Sequence, residues 1–212
     1  SSDLLARASE YLRAYPCQTA IFLSAELCSL TMQPQDASVA SIVSSGLFGD
    51  GAAAVLLAGA KHPLSEGSAP RIVDSRSRFF PNTERAMGWE VVDTGLCVAL
   101  SGEVAELART GVPEVVDGLL AAHGLTRDQV GTWIAHPAGP MVLDAIREWL
   151  GLPEGALASA HKSLAEVGNL SSASILFVLD ELRAELRPKQ GSYGVILATG
   201  PGFSVEALLL KW

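Results

Sequence analysis

Cysteine is scarce in this 212-residue chain: Cys17, Cys28 and Cys97 form no CxxC pair and no even set. That usage argues against a disulfide scaffold or a zinc site and fits a reducing compartment, the cytoplasm. Charge is sparse too, at 18% of residues against 49% hydrophobic, a balance too apolar for disorder. Basic residues are in deficit, 15 Lys and Arg against 23 Asp and Glu, giving a net charge of −8 that disfavours nucleic acid and anionic membrane as partners. No apolar run approaches the ~18–20 residues of a membrane span, and no signal-peptide pattern opens the chain. Short-period repeats and low-complexity tracts are missing. So are a Walker P-loop and a Gly-x-Ser-x-Gly elbow, and Gly49-Asp50-Gly51 lacks the third spaced glycine of a dinucleotide fingerprint. His62, His123 and His161 stand apart without metal-ligand spacing, so they are expected on the surface and no metal site is expected.

What is present is an alternation of helical and strand-like stretches. An amphipathic helix covers Leu4 to Leu12, and short apolar runs at Thr19–Ser24 and Ala52–Leu57 read as buried strands. Lys61 to Pro70, with Pro63, Gly67 and Pro70, reads as a boundary between residues 1–62 and 63–212. Strands are expected at Arg71–Ser77 and Gly95–Leu100, with a turn near Pro81-Asn82. Two helices follow, at Glu103–Arg109 and Pro113–His123, the second opened by its proline. Strand Thr132–Ala135, helix Met141–Leu150 closed by Gly151 and Pro153, helix Leu170–Leu186, and strands Tyr193–Ala198 and Ser204–Leu210 complete the chain. This order predicts a layered α/β fold.

Within that pattern His136 ends the apolar run Gly131-Thr132-Trp133-Ile134-Ala135, and Asn169 opens the expected helix at Leu170. The plainer readings are a structural histidine and a helix N-cap. The sharper one is that an imidazole and a carboxamide, each on a turn at the mouth of a buried element, aim N–H donors at one developing oxyanion.

The flanking residues favour the sharper reading. Leu47-Phe48-Gly49-Asp50-Gly51-Ala52-Ala53-Ala54, Trp133-Ile134-Ala135-His136-Pro137-Ala138-Gly139-Pro140, Val167-Gly168-Asn169-Leu170-Ser171-Ser172-Ala173 and Gly200-Pro201-Gly202-Phe203-Ser204-Val205-Glu206 follow one another in that order. Together they resemble the type III polyketide synthases, the chalcone and stilbene synthase family, from about Leu4 to Trp212. The resemblance implies a thiolase-like αβαβα fold, comprising the end of an N-terminal half and the complete C-terminal half. It also implies that the nucleophilic Cys lies a few residues before Ser1, so that the chain is the C-terminal part of a longer protein and inactive alone. His136 and Asn169 become the catalytic pair that stabilises the enolate formed when malonyl-CoA loses carbon dioxide, with His136 also pairing with the thiolate. Substrates would be malonyl-CoA and acyl-CoA thioesters, with no cofactor, and the intact enzyme would be a homodimer.

Matched by motif, Cys28, Thr31, Trp89, Val98, Ser171, Thr199, Gly200 and Pro201 should bind substrate. Plant chalcone synthases have Thr, Gly and Phe where this chain has Cys28, Trp89 and Val98, and Ala198-Thr199 stand where many have Gly-Phe. An indole in place of glycine removes room for an aromatic starter. The pattern is similar to bacterial members of the family that start and extend with malonyl units to make a tetrahydroxynaphthalene-like product. Core packing of Trp89 and Cys28 is an equal alternative. Alkylpyrone or alkylresorcinol synthesis from a fatty acyl starter, and a non-catalytic fragment, also stay open.

Overall fold

A computed structural model describes residues 2–67 and 69–212; the expected boundary at 61–70 lies within the described residues except at position 68. Helix α1 (Ser2–Ala14) leads into an antiparallel ribbon of β1 (Thr19–Glu26) and β2 (Gly51–Ala58), with α2 (Val39–Leu47) between its strands. After β3 (Arg71–Phe79) comes a second ribbon, β4 (Met87–Val92) with β5 (Gly95–Leu100). Helix α3 (Glu103–Ala121), β6 (Val130–Ala135), α4 (Pro140–Leu150), α5 (Ala158–Val167), α6 (Ser174–Glu185), β7 (Tyr193–Gly200) and β8 (Ser204–Lys211) follow.

The core is the four-stranded sheet β3-β8-β7-β6, in which β6 and β7 run parallel and the other pairs antiparallel. Ala207 to Leu210 of β8 are buried without alternation, so both faces of the sheet are covered. Helix α3 packs against one face, with α4 beside it, while α1 and α6 lie between the sheet and the β1–β2 ribbon. The layers run helix, sheet, helix, sheet, in keeping with a thiolase-like αβαβα fold. The β1–β2 ribbon, expected as two buried strands, is covered on one side only: in β1 Phe22 and Ser24 point inward while Ile21 and Leu23 are exposed, and no residue of β2 is fully buried. No helix among the described residues is long and apolar enough to cross a membrane.

Several elements differ from the sequence expectation. Pro113 opens no second helix: α3 runs unbroken through it. A proline inside a helix costs about 3 kcal/mol, but Val112, Val115, Val116, Leu119 and Leu120 are all buried against the sheet, each worth roughly 1.5–3 kcal/mol. Tertiary burial therefore overrides the break. Strand β4 and helices α2 and α5 were not foreseen. The expected helix from Leu170 starts as a 3₁₀ turn, Ser171–Ala173, and becomes α-helical only at Ser174. His62 and His161 are half-buried, His62 because its Nδ1 accepts the Leu64 N–H at 3.2 Å; only His123 is exposed.

Candidate active site

The carboxyl ends of the parallel strands β6 and β7 lie side by side, and the chain leaves both there in sharp turns. At the first, His136 donates its backbone N–H to Leu197 O of β7 at 2.8 Å, which sets it beside Ala198, Thr199 and Gly200. Its own carbonyl accepts from Ala138 N–H at 2.8 Å, tightening the His136-Pro137-Ala138 turn. Burial pushes the imidazole pKa from 6.5 down to about 4, so the ring is neutral near pH 7 and offers one N–H donor.

Asn169 reaches the same place from the other direction. It is 3% exposed, and a parallel bridge with Phe48 fixes its backbone: Asn169 N–H donates to Leu47 O at 2.8 Å and Gly49 N–H donates to Asn169 O at 3.0 Å. Its Oδ1 accepts from Ser171 N–H at 2.9 Å, an Asx turn that leads into the 3₁₀ turn, and its Nδ2 lies 3.4 Å from Ala138 O. The Ser171 bond fixes the carboxamide, and the long Nδ2 contact runs to the turn that begins with His136. The N-cap reading does not hold, since Leu170 and not Asn169 precedes the 3₁₀ turn; Asn169 instead supports the turn from one residue earlier.

The glycines around this crossing are steric necessities. Gly168 has φ +76, and a Cβ there would stand 2.9 Å from Leu47 O; one on Gly49 would stand 3.0 Å from Val167 O. The Gly49-Asp50-Gly51 and Val167-Gly168-Asn169 motifs are two loops pressed face to face.

Beside the crossing is an open cavity of about 400 Å³, lined by Cys28, Thr31, Phe48, Cys97 and Val98 among others. The 3₁₀ turn Cys28–Thr31 forms part of its wall, held by Asp50, which accepts from Ser29 N–H at 2.7 Å and Ser29 Oγ at 2.6 Å. Those two bonds keep the Asp50 carboxyl below the usual range, and burial, with Glu26 and Asp50 nearby, pushes the Cys28 thiol up. Helix α2 turns Ser38, Ser41, Ser44 and Ser45 to the cavity while Val39, Ile42 and Val43 are exposed, an inverted amphipathic pattern. Glu26 accepts hydrogen bonds from Ser172 Oγ and, at 3.3 Å, from Ser172 N–H, with Ser24 Oγ 2.7 Å from Ser172 Oγ.

Of the residues expected to bind substrate, Cys28, Thr31 and Val98 line this cavity. Trp89, also expected there, does not line it: it pairs with Val98 across the β4–β5 ribbon and is 43% exposed. Ser171 borders Asn169, and Thr199, Gly200 and Pro201 form the β7 end beside His136; none of these four lines the cavity. Phe48 and the α2 serines were not singled out from sequence. Phe48 sat inside a quoted motif, while the serines gave no periodic signal because their helix is apolar outward.

Comparison with known proteins follows the same lines. Residues 71–212 match the family described as chalcone and stilbene synthases, C-terminal domain. The chain is 45% identical over 208 residues to a 1,3,6,8-tetrahydroxynaphthalene synthase of Streptomyces peucetius subsp. caesius, covering 98% of this chain and 55% of that protein. It is 34% identical over 205 residues to a 3,5-dihydroxyphenylacetyl-CoA synthase of Streptomyces toyocaensis, covering 94% and 52%. The crystal structure of the Streptomyces coelicolor A3(2) 1,3,6,8-tetrahydroxynaphthalene synthase superposes with a TM-score of 0.91 at 30% identity, over 100% of this chain and 59% of that one. The chain thus spans a little over half the length of the relatives it matches.

Proposed function

The chain belongs to the chalcone and stilbene synthase family, and from that premise we propose that it is the His–Asn-bearing portion of a type III polyketide synthase that builds a small, tetrahydroxynaphthalene-like aromatic polyketide from malonyl-CoA. The observation that carries this reading is the approach of the Asn169 carboxamide to the His136 turn at the carboxyl ends of β6 and β7.

A Cys thiolate contributed by the rest of the protein takes the acyl group from a coenzyme A thioester, and coenzyme A leaves. Malonyl-CoA then loses carbon dioxide, and its electron pair becomes a thioester enolate. His136 and Asn169 donate hydrogen bonds to the enolate oxygen, which both must approach within about 3 Å. The enolate carbon attacks the acyl thioester, a carbon–carbon bond forms, the carbon–sulfur bond breaks, and the thiolate is released for another round. A neutral imidazole suits donation to an enolate. Beside a thiolate the same ring would gain coulombic stabilisation as imidazolium, offsetting the burial that lowers its pKa. No cofactor is required, because the thioester supplies both electrophile and masked carbanion.

The cavity supports malonyl priming over a fatty acyl starter. A poly-β-ketone presents carbonyl acceptors to the hydroxyls of Ser41 and Ser44, whereas an alkyl chain would strip them of water at about 1–3 kcal/mol for each hydroxyl left unpaired. The working protein is proposed to be a cytoplasmic homodimer.

Labelled malonyl-CoA given to the complete enzyme should yield a product built wholly from malonyl units; an alkylpyrone or alkylresorcinol made in preference from fatty acyl-CoA would overturn the starter assignment. The 212 residues alone should form no stable acyl adduct by intact-mass measurement. An adduct on Cys28 would place the nucleophile inside this chain.

A further inference from the structure

Thr83 lies between β3 and β4, outside the cavity wall, yet it ties two parts of the site together. Its hydroxyl donates to Phe80 O at 2.6 Å and accepts the Phe203 N–H, while Phe80 N–H donates to Phe203 O at 2.9 Å. Phe203 is fully buried, its ring 5.8 Å from that of Phe80, so the turn joining β7 to β8 is clamped at this point.

The same residue anchors the β4–β5 ribbon. Thr83 O accepts from Ala86 N–H at 2.9 Å, and Ala86 O accepts from Ser101 N–H at 2.8 Å. Ala86 precedes β4 and Ser101 follows β5, so both strands are gripped at their base. Beyond that base the ribbon is largely exposed, and a two-stranded ribbon is marginally stable by itself. It nevertheless presents Cys97 and Val98 to the cavity. At its base the orientation depends on a chain of hydrogen bonds that runs from Phe203 through Thr83 and Ala86 to Ser101, while at its tip Gln33 Nε2 donates to Leu96 O at 3.1 Å and Thr94 Oγ1 donates to Gln33 Oε1 at 2.6 Å.

We propose that Thr83 is a positioning residue that sets the Cys97–Val98 wall relative to the Thr199–Phe203 turn, and so governs which acyl starters the cavity admits; its substrate half rests on the polyketide synthase reading. A serine keeps the bridging hydroxyl, whereas valine keeps the shape and leaves the Phe203 N–H without its acceptor.

The test compares Thr83→Val and Thr83→Ser in the full-length protein. Hydrogen exchange followed by mass spectrometry should speed up in residues 87–101 and 199–204 together for Thr83→Val, by up to about tenfold, the worth of one net hydrogen bond. Thr83→Ser should match the parent. In a competition between malonyl-CoA and hexanoyl-CoA, the product ratio should shift for Thr83→Val and return for Thr83→Ser. Faster exchange at Phe203 alone, an unchanged product ratio, or serine behaving like valine would overturn the proposal. So would failure of both variants to fold, since the residue would then hold up the whole molecule. If the parent makes no polyketide while exchange couples the two segments, the ribbon anchoring stands and the error lies in the assigned chemistry.

Discussion

The end of the four-stranded sheet and the wall of the neighbouring cavity are built in contrasting ways. At the sheet end, His136 and Asn169 stand on turns locked by backbone hydrogen bonds to β7 and to the Leu47–Gly49 loop. The cavity wall is a largely exposed ribbon, a 3₁₀ turn and a short helix with its apolar side outward. Chemistry that tolerates little displacement sits on the over-determined part, and selection among starters falls to the part held by few contacts. Substitutions at the sheet end should therefore abolish turnover, while those in the wall should redirect it.

The largest effect is expected for His136→Ala in the complete enzyme. Acylation and condensation should both fail, with a loss of ~10²–10³ for the oxyanion donor alone. Single-turnover acylation and product formation, measured separately, check this, and wild-type rates in either would remove His136 from that step. Asn169→Ala should be narrower: malonyl decarboxylation should fall by a similar factor while acylation persists. The variant should also lose about 1 kcal/mol of stability in denaturant melts, because Oδ1 no longer accepts the Ser171 N–H. Full acylation with lost decarboxylation would separate the two residues' roles, and a parallel loss of both would merge them.

A smaller effect concerns pH. With the His136 pKa lowered from 6.5 to about 4 by burial, the unfolded chain takes up a proton first as pH falls. Stability should therefore decline between about pH 6.5 and 4, and this contribution should be fully lost below 4. His136→Gln should flatten that part of the stability profile; an identical slope would mean that the ring is not desolvated. Smallest of all, Trp89→Gly should leave malonyl priming nearly intact while raising the share of hexanoyl- or coumaroyl-primed product, since the indole pairs with the cavity-lining Val98 without lining the cavity itself. An unchanged starter profile in the folded variant would confine selectivity to the interior.

The sequence was most legible where local pattern and tertiary role agree. The apolar runs of β6, β7 and β8 announced themselves, those of β1 and β2 did so as strands but not as the buried ones expected, and Gly151, at φ 62, closes α4 as a left-handed cap should. Pro113 misled because its local effect is outweighed by the side chains that α3 buries on the sheet. Helix α2 escaped notice because its serines face the cavity and its valines and isoleucine face outward, reversing the usual signal. At the site, the motifs carried His136 and Asn169. They could not disclose that Asn169 reaches Ala138, or that Thr83 joins the ribbon to Phe203, since these contacts cross 31 and 120 positions of chain.

The contact between the Leu47–Gly49 loop and Val167–Asn169 bears on how this scaffold can be recombined. Leu47 O lies where a Cβ on residue 168 would need room, and Val167 O where one on residue 49 would. Each loop thus carries the steric licence of the other. A chimera with a crossover between residues 51 and 167 takes these two segments from different parents, and it inherits a sound junction only if both parents keep glycine at both positions. Segments 47–51 and 167–170 form one heritable unit, to be exchanged together when starter-selective walls are grafted between relatives.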